Sequence, residues 1–83
     1  MENIIGKIKE IIIEPMKELD IMVANIEYET VNKHNFLKIT LDKVNGIDLD
    51  AIVEATNIIN PLLDEHDLIK EEYILDIVSK ERG

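Results

Sequence analysis

Residues 22–46 read MVANIEYETVNKHNFLKITLDKVNG, and their period sets the fold class. Met22, Ala24, Ile26 and Tyr28 alternate with Val23, Asn25, Glu27 and Glu29, which is the two-residue repeat of a half-buried strand. Leu37, Ile39 and Leu41 alternate in the same way with Phe36, Lys38, Thr40 and Asp42. VNKHN (31–35) between them reads as a turn, and KVNG (43–46) ends the second run. The spacing predicts a hairpin with one face toward a core.

On either side the period changes to that of a helix. From Asn3 to Leu19, Ile4, Ile5, Ile8, Ile11, Ile12, Pro15, Met16 and Leu19 share one arc at about 100° per residue, with lysines and glutamates opposite. Pro15 lies on the apolar side, so the carbonyl of Ile11 loses its intrahelical donor and a bend is expected. Ile13 falls outside the arc and points to a contact. Asp48 is placed to cap a second helix, whose Ala51, Ile52, Ala55, Ile58, Ile59, Leu62 and Leu63 share a face through residue 63. Pro61 falls on its polar side, where water can serve the carbonyl of Asn57 as the last turn loosens. YILDIVS (73–79) reads as a third strand, Tyr73, Leu75 and Ile77 alternating with Ile74, Asp76 and Val78.

The order is therefore α-β-β-α-β. Two amphipathic helices and three one-sided strands are buried most economically as a two-layer α+β sandwich, both helices on one face of a three-stranded sheet. The whole chain, 1–83, is expected to form one domain. On the other sheet face Val23, Phe36, Ile74 and Val78 interrupt Glu27, Glu29, Lys38 and Asp76, a mixture that fits either an interface or scattered surface residues.

Composition narrows the function. With 18 acids against 9 bases the formal charge is −9, and the single arginine is Arg82. Phosphate backbones are held by Lys and Arg, so direct binding of nucleic acid is disfavoured and a basic partner fits better. There is no cysteine, hence no disulfide, thiolate metal site or Cys nucleophile, which suits a reducing cytosol. No apolar run reaches membrane-spanning length, and MENIIGKIKE lacks the apolar core of a signal peptide. A soluble, cytoplasmic protein is expected.

The chain offers little for catalysis. Gly6, Gly46 and Gly83 are isolated, so no glycine-rich phosphate loop and no GxxG clamp can be built. His34 reads as a solvated turn residue, and no Ser or Thr has a histidine beside it in sequence. Asp64, Glu65, His66 and Asp67 are the one dense group of potential ligands. Consecutive residues project in different directions, so they fit a polar connector better than a metal cage. Neither a metal nor a cofactor is expected.

Further residues carry a family resemblance. EPMKEL (14–19), VANIEYE (23–29), FLKITLDKVNGIDLDAIVEATNIINPLLDEHDLI (36–69) and YILDIVS (73–79) resemble, in that order, the N-terminal domain of the ribosome maturation factor RimP. The most telling parts are Pro15, Ile26-Glu27-Tyr28, Gly46-Ile47-Asp48-Leu49-Asp50, Leu63-Asp64 with Asp67, and Tyr73 to Ser79. The resemblance implies an α-β-β-α-β domain of a non-enzymatic cytosolic assembly factor that binds the immature small ribosomal subunit and helps one of its proteins dock. Ribosomal proteins are mostly basic, in keeping with the acidic balance found independently. Family members continue through Ser-Ser-Pro-Gly-Leu-Asp-Arg-Pro into a β-barrel, whereas this sequence runs Ser79-Lys80-Glu81-Arg82-Gly83, so the likeness is to the first domain alone. Asp20 stands where the family commonly has glycine, predicting a less comfortable helix exit, and Leu68 where it often has proline.

From exposure, the partner-facing residues are expected to be Glu10, Ile13, Glu14, Lys17 and Glu18 on the polar side of the first helix, and Phe36 with Ile74 on the open sheet face. The small ribosomal subunit, through a basic ribosomal protein, is the expected partner, and the chain itself a monomer or weak homodimer. Two rival readings remain: a scaffolding module that buries Val23, Phe36, Ile74 and Val78 against a twin, and a metal-dependent enzyme built on the acidic group at 64–67.

Overall fold

The computed structural model describes residues 2–80, and side chains for 4–80. The sequence departures at Glu81, Arg82 and Gly83 lie outside the described residues. The elements are α1 (Glu2–Glu18), β1 (Ile21–Val31), β2 (His34–Lys43), α2 (Leu49–His66) and β3 (Ile74–Ser79). This is the expected α+β order. The sheet runs β1-β2-β3, with β1 antiparallel and β3 parallel to the central β2. The parallel pair needs a crossover, and α2 supplies it.

α1 packs over β1, α2 over β3, and the helices touch each other above β2. The core follows from that arrangement. Leu37, Ile39 and Leu41 of the central strand are fully buried beneath Ile8, Ile12 and Met16 of α1 and Ala55, Ile59 and Leu63 of α2. Each helical trio recurs every fourth residue, one turn apart, so each forms a single ridge. Ile21 and Ile26 complete the buried set.

β1 departs from simple alternation. Its register shifts between Val23 and Asn25, so Ala24 is the extra residue of a β-bulge. One inserted residue exchanges the two faces of everything before it. Ile26 and Tyr28 face the helices as expected, but at the start of the strand Ile21 and Val23 do so, while Met22 and Ala24 are exposed. The assignment of Met22 and Ala24 to the core and of Val23 to the open face is thereby corrected. The bulge sits at Ala24-Asn25, the pair in this strand with the weakest strand preference.

The hairpin turn is also tighter than VNKHN suggests. Val31 pairs with His34, leaving Asn32 and Lys33 as a two-residue turn with φ of 50° and 70°. Positive φ at both positions is the type I′ geometry that matches strand twist, and asparagine tolerates it best. His34 therefore belongs to β2 rather than to a turn.

Asp48 caps α2 as expected, its Oδ1 accepting from the Ala51 amide at 2.9 Å. The helix continues past Leu63 and Pro61 to His66, so Asp64, Glu65 and His66 are its last turn. Asp67 ends it in the left-handed region (φ 47°), its amide donating to the Leu63 carbonyl at 2.9 Å. Asp20 ends α1 in the same region with φ 60°. The strained exit expected from its replacing glycine is present.

Candidate functional site

The seven residues expected to face a partner fall into two groups on opposite sides of the molecule. Glu10, Ile13, Glu14 and Lys17 follow i, i+3, i+4, i+7 spacing along the outer side of α1, with Glu18 beside Glu14. All five are exposed, Ile13 at 41%. Lysines alternate with these acids, since Lys7 and Lys9 share the exposed surface of the helix. This strip is close to electrically balanced.

Phe36 and Ile74 lie on the sheet face that no helix covers, and they are direct register partners. The rows across this face are Glu29-Phe36-Ile74, Glu27-Lys38-Asp76 and Asn25-Thr40-Val78. Ile74 is 51% exposed and Phe36 half-buried. An apolar pair is thus bordered by Glu27, Glu29 and Asp76, with Lys38 between two of the acids. Asn25 donates to Glu27 Oε1 at 2.8 Å, holding one of those carboxylates in place. Val23, turned inward by the bulge, is absent from this face, and Met22, opposite Asp42, takes its position.

At the hairpin end of β2, Asn35 ties three segments together. Its Oδ1 accepts from Thr30 Oγ1 at 2.7 Å, and its Nδ2 donates to the Glu72 carbonyl at 3.0 Å and to Glu71 Oε2 at 3.4 Å. A shallow notch of about 260 Å³ lies there, between Lys33, His34 and Asn35 on one side and Glu72, Tyr73 and Ile74 on the other. At the opposite end of the sheet, Lys17, Asp20, Ile21, Met22, Lys43, Val44, Asn45 and Gly46 surround a cleft of about 520 Å³.

The acidic group at 64–67 does not assemble a cage. Successive helical residues diverge by about 100°, and the left-handed Asp67 turns the chain away. Asp67 pairs with exposed Lys70 at 3.0 Å, a contact of little energetic weight. Asp64 and Asp67 instead lie near the Tyr73 phenol, which is pushed above its ordinary pKa first by burial and then by these carboxylates. Tyr28 is raised likewise, by burial and then by Glu71, and its buried hydroxyl has no hydrogen-bond partner among the described residues. Among the described residues, no three His, Asp or Glu side chains converge as metal ligands, and no helix is long and apolar enough to cross a membrane.

Expectation had passed over the outer side of α2. Leu49 is 76% and Val53 51% exposed, four residues apart on one side of the helix. The signal was present in the spacing, because both fall outside the arc formed by Ala51, Ala55, Ile59 and Leu63.

A three-stranded sheet under two helices, with apolar residues among acids on its outer surfaces, defines a small two-layer α+β domain. The sequence model of the RimP N-terminal domain matches residues 11–80. The chain belongs to that family, which is associated with ribosome maturation.

Proposed function

We propose that this domain is a non-enzymatic, cytoplasmic module of ribosome maturation that binds the immature small subunit through surface complementarity. Family membership across residues 11–80 carries the reading. The surface we assign first is the helix-free sheet face, where Phe36 and Ile74 sit side by side, bordered by Glu27, Glu29 and Asp76 with the single lysine Lys38 among them. An apolar centre with an acidic border suits a basic ribosomal protein, since burial supplies affinity while complementary charge speeds and orients encounter. Glu10, Ile13, Glu14, Lys17 and Glu18 on α1 face the other way, so a single flat partner cannot cover both groups. They form a second contact within a larger particle.

The test is co-sedimentation with small subunits stripped of late-joining proteins, at low salt. The chain is expected to pellet with the particle, and the Phe36→Ala/Ile74→Ala pair to weaken that association more than Ile13→Ala does. Absence of the wild-type chain from the pellet overturns the proposal. Self-association through the same sheet face is the less favoured alternative, because the inward turn of Val23 removes one of the four residues it relies on.

A further inference from the structure

The negative charge is unevenly distributed. Residues 48–67 contain Asp48, Asp50, Glu54, Asp64, Glu65 and Asp67, six of the 18 acids, and none of the 9 Lys and Arg residues. Elsewhere acids and bases come much closer to balance. α2 thus exposes acids and no lysine or arginine, Asp50 and Glu54 in its first turns and Asp64 and Glu65 in its last with uncharged Asn57, Asn60 and Pro61 between, and it is in the first turns that Leu49 and Val53 stand out. At i, i+4 spacing their side chains are neighbours, about 5–6 Å apart at Cβ. Asp50 and Glu54 flank them with the same spacing. Val44, 68% exposed, lies in the loop that leads into this helix.

Neither side chain belongs to the core cluster, which α2 joins through Ala55, Ile59 and Leu63 with Ala51, Ile52 and Ile58 beside them. Charge selects what could cover them. Nucleic acid and anionic membranes are repelled. A second copy meeting this face across a two-fold axis would set Asp50 and Glu54 against their own equivalents, which is unfavourable. The neighbouring cleft differs, because Lys17 and Lys43 accompany Asp20 there and no single sign of charge prevails.

We propose that the outer side of α2, centred on Leu49 and Val53 and flanked by Asp50 and Glu54, is a docking surface for a cationic polypeptide segment that inserts apolar side chains between its lysines or arginines. The surface is separate from the sheet face and from the α1 strip, so it stands or falls independently of the reading above.

The experiment is an amide-resolved NMR titration of the full chain with a synthetic amphipathic peptide of lysine and leucine at helical spacing, and with its glutamate-for-lysine counterpart. The lysine peptide is expected to move the amides of residues 49–57 most and to lose affinity as salt is raised, while the glutamate peptide leaves them unmoved. Leu49→Ala/Val53→Ala should weaken binding roughly tenfold, the change expected when part of two apolar contacts is lost. Glu54→Lys should weaken it in a salt-dependent way. These are exposed positions, and an unchanged amide spectrum outside α2 verifies that each variant is folded. The proposal is overturned if the largest shifts fall on β1–β3 or α1, if the double variant binds as tightly as the parent, or if residues 49–57 shift with protein concentration alone, which would make a second copy the occupant.

Discussion

The two helices meet the sheet in the same way and meet the solvent differently. Ile8, Ile12 and Met16 in α1 and Ala55, Ile59 and Leu63 in α2 are buried at matching intervals over the same three residues of β2. Both helices contain a proline near the end and both leave through a left-handed aspartate. Their outer sides share none of this likeness: α1 mixes lysine with glutamate around Ile13, whereas α2 carries only acids around Leu49 and Val53. Packing restricts an inner side to a few shapes and volumes. An outer side is under no such constraint, so its departures from an ordinary solvated surface are the better guide to what the domain binds.

The strongest way to break this comparison is to make one substitution on both sides of both helices. Ile12→Ala and Ile59→Ala each remove a fully buried side chain and should cost about 2–5 kcal/mol in urea unfolding. For a domain of this size that is a large fraction of a total stability on the order of 5–15 kcal/mol. Ile13→Ala and Val53→Ala should stay within about 0.5 kcal/mol. A costly Val53→Ala would mean that the outer side of α2 serves the fold after all, and would remove the reason for assigning it to a partner.

A smaller effect is expected at the start of α2. Asp48→Ala leaves the Ala51 amide without its 2.9 Å acceptor and should cost about 1 kcal/mol. The loss should appear as faster amide exchange in the first turn of α2, with little change in α1. Equal protection loss in both helices would show that they open as one unit.

Most of the inner side could be read before the structure, and its exceptions have local causes. Leu37, Ile39 and Leu41 alternate without interruption and lie where alternation puts them. In β1 the same rule fails at Met22, Val23 and Ala24, because a bulge adds a residue and period alone does not reveal an insertion. The greater bulk of Ile21 and Val23 relative to Ala24 was the available clue. Likewise, Asp64 to Asp67 read as a connector because the apolar face of α2 ends at Leu63, yet hydrogen bonding carries the helix one turn beyond its last buried residue. The open sheet face was legible as a mixture, but Phe36 beside Ile74 was not, because that pairing depends on a parallel register between segments joined through α2. The acidity of α2 is visible in composition, but which of its faces carries the charge depends on where the helix packs.

On the side of the sheet under the helices, the buried Tyr28 side-chain hydroxyl finds no hydrogen-bond partner among the described residues, and it gives the comparison a pH dependence. Burial, reinforced by Glu71, raises the Tyr28 pKa in the folded state above its unfolded value. The associated stability is therefore fully present below the ordinary tyrosine pKa of about 10 and is lost as pH rises through the higher folded value. Tyr73 acts in the same direction. Tyr28→Phe removes a buried oxygen that has no partner and should stabilise the domain by up to about 1 kcal/mol at neutral pH. It should also reduce the stability lost above about pH 10, measured by urea midpoints on either side. A destabilised Tyr28→Phe would show that the hydroxyl has a partner, with water the first candidate.

The finest distinction concerns the two left-handed aspartates. An L-residue at positive φ gives up roughly 1–2 kcal/mol in the left-handed region, less for aspartate because its short side chain can bond locally. Glycine avoids that strain but adds freedom to the unfolded chain, which returns about 0.4–1 kcal/mol of the gain. Asp20→Gly should therefore stabilise by about 0.5 kcal/mol, the difference between these effects. Asp67→Gly should gain less, because it also gives up the 3.0 Å pair with Lys70, although at that exposure the pair is worth only a few tenths of a kcal/mol. Thermal midpoints for the two variants decide between the cases. If Asp67→Gly gains as much as Asp20→Gly, the Lys70 pair contributes nothing, and the two helix exits are alike in energy as well as in geometry.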